Sequence, residues 1–168
     1  LAIDPCTGNV WHDNLGVSGP VIDAPNKIFV RNPSGTLIGS VTGYAHGFAY
    51  AQGCTVDDQG NVWVAHSIIG NPNSVGRLTT AGTFLGNVTL PVYLGRTVNG
   101  PTGVAVDAQG KVWVSNYSSH TVMRIDPNVG PAGTVDLIVD LNYPGQSGNA
   151  GPYNYSDKTG YSAIGVTN

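Results

Sequence analysis

One phrase of about fourteen residues recurs along the chain at a nearly constant spacing. Its clearest copies are GCTVDDQGNVWVAH at residues 53–66 and GVAVDAQGKVWVSN at residues 103–116. The chain starts with a third copy, which has one extra residue between its aspartate and its glycine. The tryptophans of the copies, Trp11, Trp63 and Trp113, are 52 and 50 residues apart. Such a period indicates one supersecondary unit that is repeated in tandem and buries its core by stacking on its neighbours.

Each copy is typical of a strand, a tight turn and a second strand. The apolar run at residues 104–106 is short and continuous, as in a strand that is buried on both faces. An aspartate caps the following turn, and a glycine adopts the positive φ that the turn needs. These turn residues are Asp4 and Gly8, Asp57 and Gly60, and Asp107 and Gly110. A run with Val on one or both sides of Trp then forms the second strand.

Two further strands are predicted in every repeat. The third strands are expected at Lys27–Arg31, Val75–Thr79 and Thr121–Asp126, and the fourth at Thr36–Val41, Thr83–Leu90 and Thr134–Leu141. Four antiparallel strands in about 50 residues form one blade of a β-propeller. We therefore predict an all-β propeller fold, with blades at about residues 1–52, 53–102 and 103–151 and part of a fourth at 152–168.

The fourth copy of the phrase is degenerate. Asp157 and Gly160 keep the spacing, but Ala163 stands where a tryptophan is expected. Three blades and part of a fourth do not close a ring, and open blade faces and strand edges invite pairing. We therefore expect either an excerpt of a larger propeller or an assembly of several chains. The partners would be further blades of the same parent chain or other copies of this one.

Residues 101–127 carry a resemblance to a known family. The strings PTGVAVDAQGKVWVSN at 101–116 and TVMRIDP at 121–127 resemble the NHL repeat and the wider group of streptogramin-lyase-like and gluconolactonase-like propellers. The resemblance implies the fold and leaves the function open, because such propellers serve many roles. It also implies that a streptogramin-lyase-like enzyme uses His with Glu and a divalent metal, and that a gluconolactonase-like propeller includes a Glu ligand. The chain contains no Glu, so we expect it to supply only part of such a site.

Composition excludes two classes of partner. Charged residues make up 10% of the chain and the net charge is −3, with no basic run of the kind that nucleic-acid binding requires. No apolar run approaches the ~18 residues of a membrane span. Low charge and many Asn, Ser and Thr residues are typical of an extracellular or cell-surface protein. Three sequons, at Asn87, Asn116 and Asn154, are candidate glycosylation sites.

The two cysteines and the aspartates offer few metal ligands. Cys6 and Cys54 match no metal motif, and whether they form a disulfide is left open. No His-x-His or His-x-x-x-His pair occurs, so we predict no zinc site. The Asp–Gly turns each supply one carboxylate, short of the six ligands that Ca²⁺ requires. Turn capping is the favoured interpretation over calcium binding, and no cofactor is expected.

The repeat alignment points to one set of ligand-facing candidates. Asn14, His66 and Asn116 stand three residues after each tryptophan, where the second strand ends at the rim of a blade. The alternative is that these are solvated loop ends. We expect the tryptophans themselves to pack in the core. Arginines recur on the third strands at positions 31, 77 and 124, where we expect structural pairing with a neighbouring backbone or Asp.

Two functions are compatible with these features. The leading hypothesis is a non-catalytic extracellular propeller that acts in binding or as a structural, self-assembling surface protein, in a ring or filament. Glycans are a candidate partner. The alternative is a fragment of a metal-dependent lyase or lactonase of the streptogramin-lyase or gluconolactonase type.

Overall fold

Three four-stranded antiparallel sheets make up the described part of the protein. The computed structural model describes residues 1–13, 27–42, 51–67, 74–98, 100–142 and 150–152. Within these ranges there is no helix, and hence none long and apolar enough to cross a membrane. The all-β prediction is confirmed, and each sheet is one blade.

The strands follow one another in chain order within every blade. Blade 1 contains β1 (Ala2–Ile3), β2 (Val10–Asp13), β3 (Lys27–Arg31) and β4 (Leu37–Thr42). Blade 2 contains β5 (Ala51–Val56), β6 (Asn61–His66), β7 (Ser74–Thr79) and β8 (Phe84–Thr89). Blade 3 contains β9 (Pro101–Val106), β10 (Val112–Asn116), β11 (Thr121–Asp126) and β12 (Thr134–Asp140).

The blades stack face to face through their first strands. Strand β5 packs against β9 on one side and against β1 and β2 on the other. Gly53 on β5 permits this contact, because a Cβ at this residue would lie 2.7 Å from the carbonyl oxygen of Thr102. The first strands are therefore the inner edge of the stack, and the more exposed fourth strands are its outer edge.

Two apolar cores fill the spaces between the blades. Trp11, with side chains such as Val62 and Leu78, fills the space between blades 1 and 2. Trp63 packs with Val112 and neighbouring side chains between blades 2 and 3. Trp11 and Trp63 are almost fully buried. Trp113 has the same place on blade 3, where no described blade covers it, and it is only partly buried.

An aspartate in the turn between the first two strands binds the tryptophan of the second. The indole Nε1 of Trp63 donates to Asp57 Oδ2 at 2.9 Å, and that of Trp113 donates to Asp107 Oδ2 at 2.7 Å. The same carboxylates accept backbone N–H groups within their own turns. Burial alone would raise the pKa of Asp107, but the hydrogen bond from Trp113 and those from the backbone outweigh it and lower this pKa.

The extra residue in the first turn removes this bond from blade 1. Asp4 accepts the hydroxyl of Thr7 at 2.5 Å and the backbone N–H of Cys6 at 2.9 Å. Trp11 Nε1 is buried and has no hydrogen-bond partner among the described residues. In this longer turn, the hydroxyl of Thr7 therefore donates to Asp4 in place of the indole of Trp11.

Arg31 lies on the third strand as predicted, but its register differs by one residue from that of Arg77 and Arg124. The residue across from Trp63 is Arg77 and the residue across from Trp113 is Arg124, but the residue across from Trp11 is Val30. Arg31 lies one position later, opposite Val10. Because side chains alternate along a strand, this one-residue offset places Arg31 on the opposite face of its blade.

All three arginines have structural partners of the predicted kind, and Arg31 Nη1 donates to the carbonyl oxygen of Gly35 at 3.1 Å. Arg77 Nη1 donates to the carbonyl oxygen of Pro127 on blade 3 at 2.7 Å, and the guanidinium lies 4.8 Å from the centre of the Trp63 ring. Arg124 Nε donates to Asp136 at 2.9 Å within blade 3. Arg77 therefore holds two blades together, whereas Arg124 acts within one.

The two cysteines have different surroundings. Cys6 is exposed in the turn after β1, whereas Cys54 is buried on β5 and its thiol lies 3.6 Å from the carbonyl oxygen of Trp11. The structure does not join them in a disulfide, because Cys54 faces the core between blades 1 and 2 and Cys6 faces solvent.

Candidate functional site

One end of blades 2 and 3 is lined by polar side chains. Strand β6 ends at His66 beside Ala51, where β5 begins. Strand β10 ends at Asn116 beside Pro101, where β9 begins. We call this end, where second strands finish and first strands start, the polar end of the blades. In antiparallel blades these ends meet on one side of the molecule.

His66 and Asn116 are both buried at this end. His66 Nδ1 forms a 2.9 Å hydrogen bond with Ser74 Oγ, and Asn116 Nδ2 donates to Thr121 Oγ1 at 3.2 Å. Both bonds join residues that are directly opposite on the second and third strands. Asn116 Oδ1 is buried with no hydrogen-bond partner among the described residues. Burial lowers the pKa of His66 to about 3, so the imidazole is neutral at pH 7.

The ligand-facing role of these residues stays a prediction. Asn116 is 0% exposed and His66 is 3% exposed, so neither side chain reaches the surface in this structure. Asn14 lies outside the described residues. His66 and Asn116, at the ends of β6 and β10, therefore form cross-strand pairs that face a neighbouring blade. Other residues form the surface of the polar end.

The sequons differ in accessibility. The amide nitrogen of Asn116 is buried and engaged by Thr121, so the folded blade does not present it for glycan attachment. Asn87 is exposed on the outer strand β8. Asn154 lies outside the described residues. Glycosylation at Asn87 stays a prediction that the fold can accommodate.

A pocket opens at the polar end of blade 3. It has a volume of about 430 Å³ and is lined by Tyr117, Ser118, His120 and Gly151. The first three residues form the turn between β10 and β11, and Gly151 follows the end of the blade. The volume lies in the range of small-molecule sites. A loop that carries such groups on a rigid sheet is a common place for binding and catalysis.

Two glycines lie next to Tyr117, the aromatic residue of this pocket. A Cβ at Gly151 would lie 2.7 Å from Cε2 and 3.0 Å from Cδ2 of Tyr117. On the other side, the backbone N–H of Tyr117 donates to the carbonyl oxygen of Gly100 at 2.9 Å. Tyr117 is 46% exposed. The ring therefore lies close to the Gly151 backbone at one edge and remains accessible.

His120 occupies a strained backbone conformation in the same turn. Its φ is 56°, in the left-handed region that residues other than Gly adopt only at a cost. Its carbonyl oxygen accepts the N–H of Leu141 at 2.9 Å, and Ser119 Oγ and Thr121 Oγ1 lie 2.9 Å apart beside it. His120 Nδ1 is buried and has no hydrogen-bond partner among the described residues.

Replacing His120 by glycine should relieve that strain. We expect His120→Gly to raise the free energy of unfolding by about 1 kcal/mol, because glycine adopts positive φ without steric cost. Urea denaturation measures the change. Ser118→Gly is the control, since Ser118 lies in the same turn at a negative φ and this variant should lose stability. A destabilised His120→Gly would show that the imidazole contributes more to packing than its backbone costs.

Charges near the pocket neutralise one another. Arg96 Nη2 donates to Asp140 Oδ2 at 2.5 Å. This bond from Arg96, with smaller help from the N–H of Asn142, lowers the pKa of Asp140. Within the described residues, no three His, Cys, Asp or Glu side chains come close enough to hold a metal ion. The described blades thus do not fit a complete divalent-metal site.

Neither Tyr117 nor His120 was predicted as a site residue from the sequence. Alignment of the repeats favours positions that recur. The turn between the second and third strands does not recur, because seven residues separate His66 from Ser74 but only four separate Asn116 from Thr121. This difference in loop length is the signal that could have indicated a functional turn.

A family model for the NHL repeat matches residues 98–124, which include β9, β10 and the pocket turn. The described residues thus form three blades of a β-propeller, and the third blade contains the match to the NHL repeat. Regucalcin from Xenopus laevis is 46% identical to this propeller over 41 residues, which is 24% of the chain and 14% of regucalcin.

Solved propellers share its fold. Virginiamycin B lyase from Staphylococcus aureus superposes with a TM-score of 0.61 at 20% identity, covering 84% of this chain and 40% of the lyase. A luciferin-regenerating enzyme superposes with a TM-score of 0.57 at 14% identity, covering 83% of this chain and 45% of that enzyme. This chain thus spans less than half the length of these proteins.

Proposed function

We propose that these blades are part of a propeller enzyme of the lyase or lactonase type, and that the pocket at the polar end of blade 3 binds its substrate. The observation that carries the proposal is the pocket itself, because an accessible aromatic ring, a hydroxyl and an imidazole with an unsatisfied nitrogen line one cavity. This is the composition of a site that binds and transforms a small molecule.

The similar structures support a lyase or lactonase better than a structural, self-assembling protein. They include virginiamycin B lyase and a putative 6-phosphogluconolactonase from Bacteroides fragilis, which superposes with a TM-score of 0.55 at 11% identity and covers 77% of this chain and 35% of that protein. Resemblance at this level concerns the fold. The residues of the pocket are therefore the basis on which we assign chemistry.

His120 is the residue that we assign to proton transfer. A lactonase opens a cyclic ester with water, and a lyase breaks a bond by elimination. Both reactions need a group that accepts or donates a proton, and imidazole is the side chain that most often does so. His120 lines the pocket and is partly exposed, so part of its imidazole is accessible to a bound molecule. No step is assigned to a metal, because the described residues do not fit one.

Ring-opening activity tests the proposal. The full-length protein that carries these blades should open a member of a panel of lactones of different ring sizes. His120→Gln should then lower kcat by about a hundredfold or more, because it keeps a polar side chain and removes the acid–base group. Product formation measured by mass spectrometry gives the rates.

The matched control lies at the other end of the same blade. Gln109 is exposed in the turn between β9 and β10, and Gln109→Ala should keep the activity of the native protein. Equal rates for His120→Gln and the native protein would contradict the role of His120. Absence of ring opening across the panel would contradict the enzyme assignment.

A further inference from the structure

We infer that blade 3 binds blade 1 of a second copy of this chain, so that the blades of two chains form one ring. The inference is independent of the proposed chemistry and concerns two sheet faces. The Trp113 face is the side of blade 3 that carries Trp113 and Arg124. The Ile3 face is the side of blade 1 that carries Ile3 and Val10, which is opposite to the side with Trp11.

The contact between blades 2 and 3 shows what the Trp113 face is built to bind. Arg77 lies across from Trp63, and its Nη1 donates to the carbonyl oxygen of Pro127 on blade 3 at 2.7 Å. Arg124 has the same place on blade 3, across from Trp113, and its guanidinium lies 5.7 Å from the centre of that ring. The Trp113 face therefore repeats the donor and the ring that blade 2 uses to bind its neighbour.

The hydrogen bonds of Arg124 within blade 3 are compatible with such a contact. Asp136 accepts from Nε of Arg124 at 2.9 Å and from Nη2 at 3.2 Å. The corresponding bond from Arg77 to Pro127 uses Nη1, which lies at the other edge of the guanidinium. Because the guanidinium presents five N–H donors in a fixed fork, Arg124 can keep Asp136 and also donate to a carbonyl oxygen of another blade.

Blade 1 carries an acceptor turn of the same kind as blade 3. In blade 3 the side chain of Asp126 accepts the N–H two residues later at 3.0 Å, and Pro127 lies between them. In blade 1 the side chain of Asn32 accepts the N–H two residues later at 3.1 Å, and Pro33 lies between them. Each proline comes three residues after the position across from the tryptophan of its blade, where blade 2 has Thr80. Pro127 is buried, whereas Pro33 is exposed, so blade 1 presents this turn to a partner.

The apolar surfaces of the two faces also match. Ile3 pairs with Val10 in blade 1 as Val106 pairs with Val112 in blade 3. The pair in blade 3 is buried in the core that contains the tryptophan of blade 2. Ile3 is 56% exposed, and Trp113 is only partly buried. Contact between the two faces would cover both side chains in the way that the contact of blades 2 and 3 does, and burial of apolar area stabilises it.

The charges favour contact between unlike faces. Blade 1 has Arg31 at the register position where blade 3 has Ile125, on the side of the Ile3 face. The Trp113 face has one carboxylate more than it has cations, with the side chains of Asp107, Asp126, Asp136, Lys111 and Arg124. Opposite charges stabilise pairing of the Trp113 face with the Ile3 face, whereas like charges disfavour pairing of either face with itself. Two such head-to-tail contacts close a ring with twofold symmetry.

Sedimentation velocity of the 168-residue protein tests the inference. We expect a species of twice the 17.4 kDa of one chain. Arg124→Ala should weaken the association by about tenfold or more, because the carbonyl of Pro33 loses its donor, and Ile3→Asp should weaken it at least as much, because it places a charge in the contact. Circular dichroism and Tm establish whether each variant is folded, and the exposed Ile3 carries the test if Arg124→Ala does not fold.

An apolar residue outside both faces provides the matched control. Leu94 lies in the connection between blades 2 and 3 and is 74% exposed. Leu94→Asp makes the same kind of change as Ile3→Asp, and this variant should associate like the native protein. Weaker association of Leu94→Asp, to the same extent as Ile3→Asp, would show that the loss is not specific to the Ile3 face and would overturn the inference.

Mixing the two face variants tests the direction of the contact. Arg124→Ala keeps an intact Ile3 face, and Ile3→Asp keeps an intact Trp113 face. An equimolar mixture should therefore associate more tightly than either variant alone. A monomeric native protein, native-like association of both variants, or no gain on mixing would overturn the inference. None of these outcomes depends on ring-opening activity, so they leave the enzyme assignment to its own assay.

Discussion

Asp57→Ala should lower the free energy of unfolding by about 3–5 kcal/mol, because it removes one buried carboxylate that satisfies several donors. Asp57 accepts the indole N–H of Trp63, both the backbone N–H and the side-chain amide of Asn61, and the backbone N–H of Gln59. Trp63 and Asn61 are buried, so water does not replace the lost acceptor. Urea denaturation of the two proteins measures the difference.

Two other aspartates provide the controls for this prediction. Asp58 is the next residue and is exposed, so Asp58→Ala should change stability by no more than about 0.5 kcal/mol. Asp107 makes the equivalent bond to Trp113, but that tryptophan is only partly buried. Asp107→Ala should therefore cost less than Asp57→Ala. Equal losses at positions 57 and 58 would show that the carboxylate bond to Trp63 does not hold the blade together.

Acidification should destabilise the protein through His66. Burial lowers the pKa of His66 to about 3, from an ordinary value of 6.5. Between these values the unfolded chain binds a proton that the folded protein does not, so the contribution of His66 is complete above pH 6.5 and is lost as the pH falls towards 3. At pH 5 the loss from this group is about 2 kcal/mol, and it increases at lower pH.

The internal repeat supplies the variant that isolates this effect. Blade 3 has Asn116 and Thr121 where blade 2 has His66 and Ser74. The double variant His66→Asn with Ser74→Thr copies the blade 3 pair and removes the titrating group. Unfolding free energies at several pH values between about 4 and 7 should fall more steeply for the native protein than for this variant. Parallel curves would show that His66 takes up a proton without unfolding.

Much of the fold could be predicted from the sequence. The third strand of blade 3 was predicted at Thr121–Asp126 and is found at those residues, and the fourth strands differ from prediction by a residue or two at their ends. The reason is that the phrase repeats, so each copy tests the strand and turn assignment of the others. The arginines recur on every third strand as predicted, but Arg31 is offset by one residue because a period in sequence does not specify register to one residue.

The site was less predictable, because its residues do not repeat. Asn116 was selected as a ligand-facing residue from its recurring position, and it is fully buried. Tyr117, the next residue, is exposed and lines the pocket. Adjacent residues at the end of a strand point to opposite sides, and only the stacking of blade 3 on blade 2 decides which side is covered.

The sequence by itself determined that this protein builds four-stranded blades, since the Asp–Gly turns and the Val–Trp strands are local features that each copy specifies. Only the tertiary structure decided which polar ends of these strands are buried and which are accessible. Burial depends on the neighbouring blade, and the contact between blades joins residues about 50 positions apart, such as Arg77 and Pro127. The pocket beside Tyr117 likewise exists because Gly100 and Gly151, on separate connections, meet at one turn.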